Sequence, residues 1–519
     1  MDFIVINGTE WVYPDVKSYP SGDSSAKIFG ARNSYCSFQV LFGEVAKNAS
    51  VSVKPYGELR DFAIEYYELV PVYVEVIRET PGGKSPYIPT RSEPFYVYDC
   101  AKPLGANLTP HDGTAALYLA VKIPKDAKPG HYVGGFEVTV DDEIIKLETS
   151  MRIYPASIPE EEYLQIINGY SIHNVVEYHG VERNLPELAE LSEKYLKMLR
   201  RMRQNMLYVS GVNRTKDDDG HYLFDFSALE KSVEYYLSLG YKYFNMSGVG
   251  GRKSWKESTI LVAGMPAMSY EAYCYLADYL PALQTFLEEK GWIDIFYMGV
   301  ADEPNDANAT EFSALCGLVR KLAPKIRLID ALSYTYAHGA LDVWVPLNSE
   351  YEKHKDEFDS YRLIGDKIWF YICCEPREED YINRFIDYPL LSTRYLFWGN
   401  YLHNLEGYLH WATNAYRTGQ DPFKQNSPET PNADRILILP PGDTHIVYPG
   451  EGEPWMSMRL EAQRQSAEDY ELLRMISLKD KEKADSICRM GFRAFNDVEY
   501  DPVEFEKIRT ALLEAASEL

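Results

Sequence analysis

The chain has 519 residues, 45% of them hydrophobic, enough for two or three domains and a large core. A formal net charge of −25 argues against nucleic acid and anionic membrane surfaces as partners, since both want a basic footprint, and disfavours a polyanionic substrate. The aromatic content, 14% with 42 tyrosines, suits a carbohydrate-handling cleft and a large ordinary core alike.

Met1-Asp2-Phe3 opens without the basic stretch and apolar core of a secretory peptide, and no apolar run approaches the ~20 residues that span a bilayer. The seven cysteines are odd in number and irregularly spaced, which predicts reduced thiols and a cytoplasmic protein.

Residues 1–157 read as an antiparallel β-sandwich. β-Favouring segments recur at Ser37–Phe42, Tyr66–Val76, Ala115–Val121 and His131–Val140, with turn signals at Pro81-Gly82-Gly83, Lys128-Pro129-Gly130 and Asp141-Asp142 between them. Tyr154-Pro155-Ala156-Ser157-Ile158-Pro159 marks the junction.

Residues 158–478 alternate between strand and helix. Candidate strands are Leu164–Gly169, Met206–Ser210, Tyr241–Ser247, Ile293–Ala301, Ile326–Ala331, Leu341–Val345, Ile368–Cys374 and Gly407–Thr413. Candidate helices are Pro186–Arg203, Ser227–Leu239, Tyr270–Lys290, Ala309–Leu322, Ser349–Tyr361, Asp380–Tyr401 and a late Met456–Ile476. Asn308 and Glu311 have capping-box spacing, and Gly240 and Gly291 sit at expected helix C-caps. This count predicts a (β/α)8 TIM-like barrel. Residues 479–519 read as a charged, solvated helical extension.

The most informative stretch is Ile293-Asp294-Ile295-Phe296-Tyr297-Met298-Gly299-Val300-Ala301-Asp302-Glu303-Pro304. A mainly apolar run without polar alternation suits a strand buried on both faces. Asp302 and Glu303 then lie at its C-terminal end, where barrels keep their chemistry, and Pro304 stops the strand. Most Asp-Glu pairs are surface charge, but this position favours function. Mutual repulsion would raise one pKa and keep that group protonated as a general acid. An ordinary retaining glycosidase holds its carboxyls about 5–5.5 Å apart across the scissile bond, which sequence neighbours rarely achieve. A substrate-assisted scheme suits neighbours better: the sugar's 2-acetamido group attacks, Asp302 orients it, and Glu303 protonates the leaving oxygen.

The run Gly299 to Pro304, after Glu289-Lys290-Gly291-Trp292, resembles the catalytic strand of the glycoside hydrolase family 123 and DUF4091 proteins. So do Trp369-Phe370-Tyr371-Ile372-Cys373-Cys374, Gly407-Tyr408-Leu409-His410-Trp411-Ala412, and the late series Gly442-Asp443-Thr444, Tyr448-Pro449-Gly450, Ser457 to Glu461 and Glu468 to Leu473. Arg32-Asn33 and Phe38-Gln39 resemble the family's amino-terminal sandwich. The resemblance implies a retaining, exo-acting β-N-acetylgalactosaminidase with no metal or cofactor, acting on an oligosaccharide or glycoconjugate. It implies Asp302 as the acetamide-stabilising residue and Glu303 as the acid/base.

Glu375-Pro376 departs from the family pattern, where a small or neutral residue precedes the proline. Glu375 is either a solvated loop residue or a carboxylate that touches substrate or even replaces the acetamido nucleophile. Tyr334 and Tyr336 are candidates to hold the acetamido carbonyl. Tyr371, in the match from Trp369 to Cys374, is a further substrate-binding candidate. Trp344, Trp369, Trp398 and Trp411 are candidates for the floor under the sugar ring, with some of them expected in the core. Asn400, Asn414 and His173 are candidate partners of sugar hydroxyls, though each serves equally well as a structural residue. Ser247-Gly248-Val249-Gly250-Gly251 reads as a loop lining the cleft, not a nucleotide fingerprint. Metal-binding spacings such as HxxxH or paired CxxC are absent. The competing readings are a barrel hydrolase of another β-linked sugar, such as β-N-acetylglucosamine or a non-acetamido sugar, and a non-catalytic glycan-binding protein. The intact Asp302-Glu303-Pro304 argues against the last.

Overall fold

A computed structural model describes residues 1–75, 90–183, 185–255, 257–333, 336–377, 380–432 and 435–519. The expected turn at Pro81-Gly82-Gly83 lies outside these residues. The N-terminal part pairs two sheets. The larger is antiparallel throughout and runs in the order Phe3–Asn7, Ser34–Phe42, Ala115–Ile123, Ile64–Val74, Phe95–Pro103, then Pro454–Ser457 and Val447–Pro449. The smaller has Ala26–Arg32, Glu143–Ser157, Gly130–Val140 and Val51–Gly57, and its first pair is parallel. Glu143–Ser157 alternates exposed and buried residues along most of its length, so its inner face packs Leu147 and Met151 against Phe38, Leu119 and Phe136. The last two strands of the larger sheet come from far downstream. The sandwich therefore does not end at residue 157.

All eight candidate strands of the second part are present, as Gln165–Asn168, Met206–Val209, Tyr243–Met246, Phe296–Met298, Arg327–Leu332, Val343–Pro346, Lys367–Ile368 continuing as Phe370–Tyr371, and Gly407–His410. Their ladders are parallel. A single closed ladder is not formed among the described residues; the strands register as one six-stranded and one three-stranded sheet. At one seam the Asn205 side chain replaces ladder bonds, accepting from the Ile166 amide at 3.0 Å and donating to the Leu164 carbonyl at 2.9 Å. At the other, Leu347 and Tyr371 form an isolated parallel bridge. Inside the strands lies a cluster that includes Ile167, Met206, Tyr297, Ile329, Val343, Trp369, Tyr371 and Leu409, with Tyr243 packed on it.

Three helical expectations change. Asp380–Tyr401 is not one helix: only Leu390–Arg394 and Leu396–Leu402 are helical. Pro389 cannot donate within a helix, and the Asn383 side chain instead donates to the Cys373 carbonyl at 3.1 Å. Ser349–Tyr361 splits at His354 into Asn348–Lys353 and Lys355–Tyr361. The capping box at Asn308 does not form, because Asn308 accepts from the Asn305 amide and Glu311 from the Ile260 amide. Gly240 and Gly291 do adopt the left-handed conformation after their helices.

The C-terminal part is not a solvated extension. Pro502–Ser517 buries Phe505, Ile508, Leu512 and Leu513, and Lys481–Gly491 buries Ile487 and Cys488, all in the large core shared with the preceding helix Met458–Ser477. That helix is buried on nearly every side and carries its charges in pairs. Arg459 meets Asp99 of the sandwich at 2.9 Å, Arg464 meets Glu468 at 2.7 Å, and Arg394 meets Asp469 at 2.6 Å. Glu461 accepts from Arg201 at 2.6 Å, and the same guanidinium reaches Glu65 of the sandwich. No helix among the described residues is long and apolar enough to cross a membrane.

Candidate active site

The strand Phe296–Met298 runs out at Gly299, and the chain then turns through two consecutive left-handed residues, Asp302 at φ 56° and Glu303 at φ 43°. In a straight strand these neighbours would point to opposite faces. The left-handed turn brings both to the wall of one cleft of about 870 Å³ at the C-terminal ends of the parallel strands. Such backbone costs on the order of 1–3 kcal/mol per residue and needs outside support.

The support is visible. Oδ2 of buried Asp330, on the neighbouring strand, accepts from the amides of Val300 and Ala301 at 3.0 Å and of Asp302 at 3.3 Å. The Glu303 amide donates to the Ala331 carbonyl at 3.1 Å. From the facing loop, Arg252 donates to the carbonyls of both Asp302 and Glu303, the latter at 2.8 Å. That loop approaches closely because Gly248 has no side chain: a Cβ there would lie 2.9 Å from the Gly250 carbonyl oxygen and 3.0 Å from that of Val300.

Across the cleft, the Tyr371 hydroxyl donates to Oε1 of Glu303 at 2.8 Å. Burial pushes the Glu303 carboxyl above its ordinary range and the charge of Asp302 adds to this, against the opposing pull of Tyr371 and Arg252. Asp302 is open to the cleft yet surrounded by protein, and desolvation raises it too, opposed by Arg252. Asp330 is pushed up to about 7 by burial and by Asp302, against its three amide donors. The arrangement offers a proton donor, Glu303, beside a second carboxylate, Asp302.

The cleft also brings in Trp411, whose indole N–H points at Asp443, 3.2 Å from one oxygen and 3.3 Å from the other. Asp443 is fully buried, which raises it to about 6. Arg417 lies 5.4 Å from the centre of the Trp411 ring. Of the candidates read from the sequence, Asp302, Glu303, Tyr371 and Trp411 line this cleft, as does the glycine-rich loop after Met246.

The others lie elsewhere. Trp344 faces the helices, donating to Asp366 at 2.8 Å beside Tyr361, and Trp398 is buried against Asp469 at 3.2 Å. Trp369 fills the interior of the strands. Asn400 is buried and donates to the carbonyls of Leu405 and Gly407. Asn414 exchanges hydrogen bonds with the backbone of Ser171, and so holds that wall of the cleft from behind. His173 lies on an exposed helix face with Glu177 and Arg183. Tyr336 is 71% exposed beside His338, outside the cleft. Glu375 does not line the cleft either; its backbone is tied to Cys373 and Asn383. Tyr334 lies outside the described residues.

Arg252, Trp255, Asp330 and Asp443 were not among the sequence candidates. Asp330 had a signal, a lone carboxylate inside the otherwise apolar run of residues 328–332, and Arg252 follows the glycines directly. Among the described residues, no group of three or more His, Cys, Asp or Glu side chains is placed to hold a metal ion.

Residues 170–476 match the family described as "Glycoside hydrolase 123, catalytic domain". Among solved structures, the chain is similar to a family 123 glycoside hydrolase from Clostridium perfringens, studied for glycolipid glycan hydrolysis. The identity is 15%, the match covers 100% of this chain and 98% of that one, and the TM-score is 0.76. A family 39 glycoside hydrolase from Bacteroides cellulosilyticus WH2 matches at 10% identity over 86% of this chain and 82% of that one, with a TM-score of 0.37. No curated protein matches the sequence. The family match takes in well over half of the chain and the whole cleft-bearing turn, and by that match this protein is a glycoside hydrolase of family 123.

Proposed function

We propose that the enzyme is a retaining exo-hydrolase that releases terminal β-linked N-acetylgalactosamine, with the substrate's own 2-acetamido group as nucleophile. The observation that carries this reading is the pair of left-handed residues that turns two adjacent carboxyls, Asp302 and Glu303, into one cleft. In the first step Glu303 gives its proton to the glycosidic oxygen, the bond from C1 to that oxygen breaks, and the acetamido oxygen closes onto C1. Asp302 accepts from the acetamido N–H and stabilises the positive charge of the cyclic intermediate. In the second step water attacks C1, Glu303 takes the proton, and the acetamido group is restored with net retention. The upward push on Glu303 favours the protonated form that the first step needs. Trp411, fixed by Asp443, is the floor for the sugar ring. The scheme uses no metal or cofactor.

A non-acetamido sugar would need an opposing carboxylate in place of the substrate's own nucleophile. Glu375 does not line the cleft, Asp330 is occupied by three amides and Asp443 by Trp411, which favours the acetamido reading. Glycolipid glycans, named for the Clostridium perfringens relative, are the proposed substrate class.

The proposed architecture is a (β/α)8 barrel. Its support is the inner cluster drawn from all eight strand positions, together with the Asn205 stitch and the bridge from Leu347 to Tyr371 at the two seams.

Hydrolysis of p-nitrophenyl β-GalNAc, β-GlcNAc, β-galactose and β-glucose, each with and without the thiazoline of the N-acetyl sugar, tests the reading. Cleavage of β-GalNAc blocked by its thiazoline is expected. Cleavage of β-galactose would sink substrate assistance. Glu303→Gln is expected to lower kcat about 10²–10⁴-fold while glycan binding persists.

A further inference from the structure

We propose that Trp255 is the platform for the sugar on the leaving-group side, so that the enzyme selects β-GalNAc attached to a second pyranose ring. This rests on Glu303 as the proton donor.

Trp255 is 46% exposed and lines the cleft. Leaving an indole in water forgoes the stabilisation of burying it, about 25 cal/mol per Å² of apolar surface. Among the described residues no ring or cation packs on it within the distances that mark such contacts elsewhere in the chain, and no acceptor takes its indole N–H. The side chain is nonetheless on a fixed backbone. Its carbonyl accepts from Nη1 of Arg252 at 2.8 Å and from Nδ2 of Asn305 at 2.7 Å.

The same Arg252 guanidinium donates through Nη2 to the Glu303 carbonyl at 2.8 Å. One planar group thus joins the backbone of Trp255 to that of the proton donor. Asn305, two residues after Glu303, makes the second tie. The loop that carries the ring is therefore bound to the catalytic turn itself, and a leaving-group sugar stacked on Trp255 would adjoin the oxygen that Glu303 protonates.

The other indole of the cleft has a different setting. Trp411 is half-buried, anchored through its N–H by fully buried Asp443, and comes from the loop after Gly407–His410. It suits the enclosed terminal sugar. Trp255 comes from the loop after Tyr243–Met246 and stands at the open edge. The apolar face of a pyranose stacks on such a ring, and the indole N–H, unpaired among the described residues, is free to meet one of its hydroxyls.

The test is a selectivity ratio, kcat/KM for a β-GalNAc-galactose disaccharide over kcat/KM for methyl β-GalNAc, measured for the wild type, Trp255→Ala and Trp255→Phe. The ratio is expected to fall at least tenfold in Trp255→Ala and to recover largely in Trp255→Phe. Equal losses on both substrates, or an unchanged ratio, would overturn the proposal. Inhibition of the wild type by GalNAc-thiazoline separates the two readings: without it substrate assistance fails, while the ratio still decides the role of Trp255.

Discussion

The Tyr371 hydroxyl stands 2.8 Å from Oε1 of Glu303 and donates to it, joining two strands that are not neighbours in any ladder. Tyr371 is otherwise an interior side chain of the parallel strands, so the proton donor is gauged against their packed interior. A donated hydrogen bond stabilises the ionised carboxylate, and it opposes the upward push from burial and Asp302.

Tyr371→Phe keeps the ring and removes that donor. The Glu303 pKa is expected to rise further, so the alkaline limb of the kcat/KM profile should move to higher pH. With the carboxyl less well aimed, kcat is expected to fall about tenfold, the size of a hydrogen bond to a charged group. A pH–rate profile checks both; a limb that stays put would show that the contact does not govern protonation.

Asp330→Asn weakens the acceptor that holds three amides of the catalytic turn. Loosening that turn is expected to cut kcat by up to about 10²-fold, with a smaller change in KM. A stability effect accompanies it. Asp330 has its pKa raised to about 7, so between the unfolded value of about 4 and 7 the native state holds the extra proton and stability falls as pH rises. Without that group, Tm is expected to vary less between pH 5 and 8 than in the wild type, which thermal melts across that window read directly.

Arg459→Leu leaves Asp99 buried without its cation, with the Tyr448 hydroxyl at 2.7 Å and the backbone amide of position 459 at 3.4 Å still donating to it. Breaking a buried pair in this way costs about 3–5 kcal/mol. Urea denaturation should show a lower midpoint, and loss of Asp99 and Arg459 together should cost less than either alone if the stranded charge is the main penalty.

The sequence made the strands legible because each is a short apolar run closed by a turn, and it marked Asp302 and Glu303 because carboxyls rarely end such a run by chance. Their left-handed backbone was not legible, since it depends on Asp330 and Arg252, which are distant in the chain. The tryptophans misled for a simple reason. Trp344 lies between Val343 and Val345, which point inwards, so alternation sends its indole to the helices; register was needed to see this. The C-terminal helices looked solvated because Lys479 to Lys483 are charged, whereas the deciding stripe, Phe505 to Leu513, has a partner only once Met458–Ser477 is in place.

The buried helix Met458–Ser477 also settles what can be cut away. The family-matched segment ends inside it, at residue 476, and begins at 170, just after the strand Gln165–Asn168. A fragment trimmed to those limits would strip Asp99 from Arg459, Glu65 from Arg201 and the docked Phe505 and Leu512 from the core, baring unpaired charge and apolar surface together. Catalytic part, sandwich and terminal helices are thus expected to fold as one piece. The region that defines the family is not a transplantable module.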